Sequence, residues 1–358
     1  MENNSSDSDT FTQLGSWPGI LNHLMQGKSF DQHQAACILT NVLKGEATPA
    51  QVASFVTALR FKGETVQEMS GFVKAMLDFS EPVETIFDPI DTCGTGGDRT
   101  SSINISTIAA FVATGAGAKV CKHGGRAASS ASGSADVLEA LGVVIDLDPV
   151  QVSKCLDQVG MAFCFAPRFH PAMRYAAPVR KELGIATIFN FLGPLANPAR
   201  TKRQVVGVSD ASMAEKMLGV LQSNGATRAI VVHGDDGLDE VTITTTSTIW
   251  NYKLEPDGPK VEFIKLDPQD FGFKLGTLQD LKGGSASLNA SLALEILQGA
   301  TGPKRDVVVL NAAAALIVAD IASDFEQGVK LAQNSIDSGK ALSCLKSLVQ
   351  VSNSLANK

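Results

Sequence analysis

After Pro82 the sequence alternates short apolar runs with amphipathic helical stretches, and no other feature narrows the fold so far. A parallel sheet needs a helical crossover between successive strands, so this alternation is the pattern of a mainly parallel α/β sheet. Runs suited to strands lie at 90–93, 119–122, 143–147, 161–165, 204–208 and 229–233. Helices are expected over 105–115, 135–141, 149–159 and 211–223, then in the tail over 285–297, 307–322 and 325–338. Before Pro82 the texture differs: 19–26, 31–44, 49–62 and 66–79 all carry apolar residues at three- and four-residue steps. Thr48-Pro49 supplies an N-cap and a first-turn proline for one of them. The fold class is therefore α/β, a small all-helical domain joined to a large domain with a central, mainly parallel sheet flanked by helices.

Composition limits the function. A chain of 358 residues, 44% hydrophobic and 19% charged, buries a large core. A formal charge of -7 argues against a broad electrostatic grip on nucleic acid or anionic membranes, so any anion site has to be local. The six cysteines form no CxxC pair and no zinc-spaced cluster, which fits buried thiols in a reducing cytoplasm. The polar, acidic start MENNSSDSDT lacks the cationic and apolar regions of a signal peptide, and no apolar run reaches membrane-spanning length. A cytoplasmic protein with a disordered start of about ten residues is the expectation.

Ligands of parallel sheets bind at the loops leaving the C-terminal strand ends. The loop DTCGTGGDRTSSINIST, residues 91–107, frees its backbone at Gly94, Gly96 and Gly97 and offers Asp98 for a cation. Ser101, Ser102, Asn104, Ser106 and Thr107 add polar groups at a helix start, and the whole suits a diphosphate. It has neither the GxGxxG order of a dinucleotide site nor the GxxxxGK[ST] of a P-loop, and glycine-rich turns also occur without ligands. A second loop, KVCKHGGRAASSASG at 119–133, sets Lys122, His123 and Arg126 among small residues, with Ser129, Ser130 and Ser132 before the next helix. Two neighbouring strand-end loops that both favour anions strengthen each other. In a third, VVHGDDGLDEVT, Asp239-Glu240 follows an apolar strand and suits Mg²⁺, which takes one or two carboxylates with phosphate oxygens and water. A fourth stretch, 165–198, contains Arg168, His170, Arg174 and Arg180 with Phe169 and Tyr175, a mixture suited to an aromatic or carboxylate-bearing acceptor.

GTGGD followed by NIST, KHG-RA-SS, FAPRFHPAMR, PVR-ELG with TIFN-LGPL-NP, and HG-DGLDE occur in this order, from about residue 15 to near the C-terminus. In these motifs the chain resembles the anthranilate phosphoribosyltransferases, which join anthranilate to phosphoribosyl pyrophosphate (PRPP) in tryptophan biosynthesis. The resemblance implies a fold of the nucleoside phosphorylase/phosphoribosyltransferase type. Residues 1–84 with an inserted segment near 178–200 would form the helical domain, and 85–177 with 201–358 the PRPP-binding domain. It implies a homodimer paired through the helical domain, and the acidic balance already argues against a nucleic-acid or membrane partner. By matching positions, Gly94, Thr95, Gly96, Gly97 and Asp98 form the pyrophosphate loop, with Asn104, Ser106, Thr107, Lys122 and Ser130 also on PRPP. Asp239, Glu240, Ser106 and Asp98 hold one or two Mg²⁺. Gly94, His123, Gly125, Ala166, Pro167, His170, Arg180 and Gly193 fall on the anthranilate path, with Arg180 facing its carboxylate. Lys122, His123 and Arg180 are the candidate catalytic residues. His123 either orients the acceptor or is a structural histidine bonded to a loop carbonyl.

The chain departs from the family's KHGN at Gly125, which removes a side-chain amide near the acceptor, and it carries Arg99 where a glycine is usual. Two other activities compete with the transferase: a pyrimidine nucleoside phosphorylase, which has no use for Asp239-Glu240, and a non-catalytic nucleic-acid-binding relative, which the acidic balance disfavours.

Overall fold

The computed structural model describes residues 9–98, 100–127 and 131–357, so Arg99, Ser129 and Ser130 lie outside the described residues. The expected disordered start also lies outside them as far as residue 8, whereas residues 9–13 are helical. Helices α1 (Ser16–Met25), α2 (Gln32–Leu43), α3 (Pro49–Lys62) and α4 (Val66–Asp78) come first. The last three open on reciprocal capping boxes, Asp31 with Gln34, Thr48 with Gln51 and Thr65 with Glu68, each satisfying two backbone donors that a helix start leaves open.

The sheet has seven strands: β1 (Ile90–Gly94), β2 (Val120–Gly124), β3 (Met161–Phe165), β4 (Arg203–Gly207), β5 (Arg228–Gly234), β6 (Ser247–Glu255) and β7 (Gly258–Leu266), in the order β3-β2-β1-β4-β5-β6-β7. The first five run parallel, while β6 and β7 add an antiparallel hairpin at one edge. Crossovers use α5 (Ile105–Gly115), α6 (Ser134–Ala140), α7 (Pro149–Val159), α8 (Ala177–Leu183) and α9 (Ala214–Ser223). The tail forms α10 (Ala286–Leu297), α11 (Pro303–Val318), α12 (Phe325–Asp337) and α13 (Lys340–Ala356).

Successive side chains of a strand point to opposite faces, and here they divide two cores. Val205, Ile230, Val232 and Ile249 face α5 and the tail helices, whereas Val206, Ala229, Val231 and Trp250 face α1–α4, α9 and the 176–196 segment. The chain builds outward from β1 through β2 to β3, then returns to place β4 on the other side of β1. That reversal opens a crevice at the C-terminal ends of β1 and β4.

Three expectations need correction. Residues 143–147 form no strand: Val143, Ile145 and Leu147 are buried in alternation, yet Val143 N donates to Leu138 O (3.0 Å) and Val144 N to Ser352 Oγ (3.1 Å), so packing on the C-terminal helix satisfies the pattern without a ladder. The helix expected over 307–322 begins four residues earlier, because Pro303 serves as its first-turn proline. The β6–β7 hairpin and α13 were not anticipated.

Candidate active site

The crevice at the ends of β1 and β4 holds a cavity of about 310 Å³ lined by Gly94–Asp98, Ser101 to Thr107, Lys122 to Ala127, Asn190, Asp239 and Glu240. Gly96 and Gly97 take left-handed backbone angles (φ 64° and 81°), which turn N–H groups inward at no Cβ cost. Gly96 N donates to Asp239 Oδ2 (2.6 Å), and Ser106 N, in the first turn of α5, donates to Glu240 Oε1 (3.0 Å). Lys122 is buried on β2; its Nζ donates to the Thr92 carbonyl and lies 3.4 Å from Ser106 Oγ.

Asp239 and Glu240 are half-buried at the cavity wall and lose most of their hydration there. Enclosure by protein, then the charge of Asp98, raises Asp239 to about 6. Enclosure, then repulsion from Asp239, raises Glu240 to about 8, with Lys122 opposing both shifts. Two adjacent carboxylates that resist joint ionisation are a poor structural element and a good cation site, and two carboxylates with the Ser106 hydroxyl nearby fit the hard oxygen ligation of Mg²⁺. Asp98 instead accepts from Thr100 Oγ1 (2.7 Å) and Thr100 N (3.3 Å). Among the described residues no three carboxylate, imidazole or thiol groups gather into a metal-ligand set, although the charge of Asp98 reaches Asp239.

Behind this surface stand residues the motif reading did not assign. Asn289, from α10, donates to Asn104 Oδ1 (2.8 Å) and Ser132 Oγ (2.9 Å) and accepts from Gly284 N (2.8 Å), locking the Asn104 side of the cavity. Asp91, fully buried on β1, accepts from His123 N (3.2 Å) and Asn197 Nδ2 (2.8 Å), and burial raises it to about 6. Ser209 N and Oγ tie the β4 end to Thr95 Oγ1 (3.2 Å) and Gly96 O (2.8 Å). Asp91 and Asn197 sit inside the quoted motifs; Asn289 carries no local signal.

On the acceptor side, His123 Nδ1 lies 3.2 Å from Gly193 O and His170 Nε2 2.9 Å from Ala196 O, with the two rings 5.1 Å apart. Burial lowers both imidazoles, His123 to about 3, so both are neutral. The bond to a loop carbonyl is the structural alternative foreseen for His123, and its Nε2 is enclosed without a hydrogen-bond partner among the described residues. Ala166, Pro167, His170, Arg180 and Gly193 do not line the cavity itself; Gly193 and His170 meet the His123 ring behind its wall, and a methyl group on Gly125 would sit 3.8 Å from Ala166 Cβ. Arg180 lies over the Phe189 ring at 5.6 Å, its pKa lowered by burial, with no carboxylate partner among the described residues. The other cations are engaged: Arg126 with Asp136 (2.8 Å) and Glu139 (2.5 Å), Arg168 with Glu81 (2.9 Å), and Arg174 on Tyr175.

Comparison with known proteins agrees with this geometry. Residues 87–342 match the α/β domain of a glycosyl transferase family, and residues 18–80 match its helical bundle domain. Anthranilate phosphoribosyltransferases of Acetivibrio thermocellus and Herpetosiphon aurantiacus are each 49% identical, over 93% and 90% of this chain and 96% and 95% of their own. Among solved structures, the Thermus thermophilus anthranilate phosphoribosyltransferase superposes with a TM-score of 0.86 at 37% identity, covering 93% of this chain and 99% of that one. The Saccharomyces cerevisiae enzyme in complex with PRPP and Mg gives 0.81 at 28% identity, covering 98% of this chain and 99% of that one. With the sheet order, the glycine loops and the carboxylate pair all in place, the chain belongs to the anthranilate phosphoribosyltransferase family.

Proposed function

We infer that this chain transfers the 5-phosphoribosyl group of PRPP to the amine of anthranilate, releasing pyrophosphate, in tryptophan biosynthesis. One observation carries the reading: a single cavity brings the N–H-rich Gly94–Asp98 turn, Lys122 and the Asp239–Glu240 pair around an anion-sized space. Asp239, Glu240 and Ser106 would hold Mg²⁺, which supplies charge neutralisation for the diphosphate as its bond to ribose C1 breaks. Binding of a second ion and a role for Asp98 in holding it belong to the same reading.

The chain's own groups do the remaining work. Lys122 and the backbone N–H groups of Gly97 and Asp98 would stabilise charge that develops on the leaving oxygens, while Thr95 N and Gly96 N brace the turn by donating to Gly207 O and Asp239 Oδ2. Asn104, Thr107 and Ser130 complete the PRPP contacts. The attacking aniline nitrogen is neutral at pH 7 and needs positioning more than deprotonation, and its proton leaves late. His123 suits that role as a neutral ring that shapes the wall beside Gly125, Ala166, Pro167, His170 and Gly193. Arg180, half-buried and lacking a carboxylate partner, suits the acceptor carboxylate. A pyrimidine nucleoside phosphorylase would leave the Asp239–Glu240 pair without a counter-charge, and a nucleic-acid binder would need basic surface that a chain of -7 lacks.

The helical domain, 1–84 with the segment near 178–200, is read as the pairing surface of a homodimer, and 85–177 with 201–358 as the catalytic domain. An apolar groove of about 920 Å³ on α1 and α3 supports this, with Met25 79% and Phe61 95% exposed on it, more than a monomer gains from leaving in water. No helix of the described residues is long and apolar enough to cross a membrane, and the cytoplasm is the proposed location.

Anthranilate is fluorescent, so the test is direct: purified protein, PRPP, Mg²⁺ and anthranilate are mixed with and without EDTA. Loss of signal that EDTA abolishes is expected. Persistence of the signal at every anthranilate concentration, with PRPP still bound, would place the acceptor in another chemical class.

A further inference from the structure

The cavity wall contains one polar group without an assigned role, the asparagine of the TIFN motif. Asn190 sits in a one-turn helix, Phe189–Leu192, and its side chain reaches back to the start of that turn, where Oδ1 accepts from Thr187 N (3.0 Å). Thr187 is fully buried, so the bond fixes the carboxamide plane. With Oδ1 engaged, the amide presents Nδ2, which has no hydrogen-bond partner among the described residues, on a side chain that lines the cavity. The other carboxamide in the lining, Asn104, is turned into the Ser132–Asn289 network. Asn190 lies three residues before Gly193, whose carbonyl accepts from the His123 ring, so it belongs to the acceptor side. On that side Gly125 offers no side chain at all.

We propose that Asn190 is a specificity-determining residue for the acceptor, donating from Nδ2 to the carboxylate of the aromatic amine. This rests on the reading of the cavity as an anthranilate phosphoribosyltransferase site. The chemistry selects the partner atom: a fixed N–H seeks a lone pair, and the acceptor offers a full negative charge on its carboxylate. An amide spent on the amine instead would occupy the lone pair that must attack C1. Phe189, the preceding residue, carries the Arg180 guanidinium over its ring, so one turn of helix supports both a cation and an amide for the same carboxylate. Holding the carboxylate from this wall leaves the ortho amine directed at the donor.

Two variants separate recognition from folding. Asn190→Asp keeps the Oδ1 acceptor for Thr187 N while replacing the donor with an anion, and Asn190→Ala removes both. The anthranilate KM is expected to rise about threefold to tenfold in Asn190→Ala and by more than about tenfold in Asn190→Asp, where like charges meet. The PRPP KM should rise by a clearly smaller factor than the anthranilate KM, and with aniline, which lacks the carboxylate, Asn190→Asp should cost less than it does with anthranilate. In a Gly125→Asn background, which returns an amide to this wall, Asn190→Ala should cost less than it does alone. An unchanged anthranilate KM in both variants, or a PRPP KM that rises by the same factor, overturns the role. Should wild type itself leave anthranilate unconsumed while binding PRPP, the reading of the site falls and the role of Asn190 with it. Variants that match an active wild type sink the Asn190 role alone.

Discussion

Replacing Glu240 with glutamine should make the protein more stable and less active at once. The glutamine Oε1 still accepts from Ser106 N, now 3.0 Å away, so the start of α5 keeps its partner while one charge disappears. Glu240 is raised from 4.5 to about 8, so its contribution to stability is fully present below about pH 4.5 and is lost as pH rises through about 8. At pH 7 a shift of that size corresponds to about 3 kcal/mol. Water in the cavity and the sharing of the shift with Asp239 reduce this to about 1–2 kcal/mol. In Mg²⁺-free buffer Glu240→Gln should therefore melt about 2–5 °C above wild type, and its stability should fall less steeply between pH 5 and 8. The same variant should bind Mg²⁺ at least about tenfold more weakly in the presence of PRPP, measured as the Mg²⁺ concentration for half-maximal activity. Gain of stability with loss of function is the signature of charges held for a ligand. A variant that melts lower than wild type without Mg²⁺, or that keeps the wild-type Mg²⁺ requirement, would refute the reasoning.

Asn289→Ala removes the donor shared by Asn104 and Ser132 and leaves Gly284 N without its acceptor, so the PRPP KM should rise about tenfold with the anthranilate KM little changed. Gly125→Asn meets only ordinary contact with Ala166 Cβ at 3.8 Å and should lower the anthranilate KM by about twofold to tenfold; an unchanged value would show that the missing amide is irrelevant. Phe61→Asp places a charge in the apolar groove and should convert a dimer to monomers in light scattering, with the fold intact by circular dichroism. Gly207→Ala puts a methyl group 1.6 Å from the Asp239 carbonyl oxygen and should weaken Mg²⁺ binding severely although residue 207 does not line the cavity; wild-type Mg²⁺ affinity would show that the loop after β5 is free to move.

Where local chemistry alone decides the structure, the sequence is readable. Ile105–Gly115, Pro149–Val159 and Pro49–Lys62 have the bounds their caps and periodicity predict, because an N-cap with a first-turn proline or a helix-ending glycine leaves few alternatives. Residues 143–147 mislead because alternating burial reports two environments and not a ladder partner; here the C-terminal helix is the second environment. The β6–β7 hairpin does leave a mark in the sequence, Asp257-Gly258 between two runs of β-branched and aromatic residues. In the site, the glycine loops, Lys122 and the carboxylate pair stand in short motifs whose composition betrays them. Asn289 is legible only through contact, 185 residues from its partner Asn104. Asn190 stands inside the TIFN motif, but nothing in those four residues marks it as facing a ligand until the cavity is seen.

The glycines of the first loop carry a lesson about how such motifs arise. A glycine-rich strand end is readily taken as room for a ligand, yet a methyl group on Gly94 would lie 2.2 Å from Asp239 Oδ2, and one on Gly207 would strike the backbone of the same residue. Their first task is to let the loop after β5 cross the ends of β4 and β1. That crossing exists because β1 lies beside β4 and β4 beside β5, so three strand ends converge although Gly96 and Asp239 are 143 residues apart. Gly96 and Gly97 differ: their left-handed angles turn the chain, and among the described residues no atom lies within 4 Å of a methyl group at Gly96. The motif is thus two functions interleaved, close packing at Gly94 and backbone geometry at Gly96 and Gly97. On the proposed reading only the second would face the phosphates, while the first brings the Asp239–Glu240 pair into the same crevice.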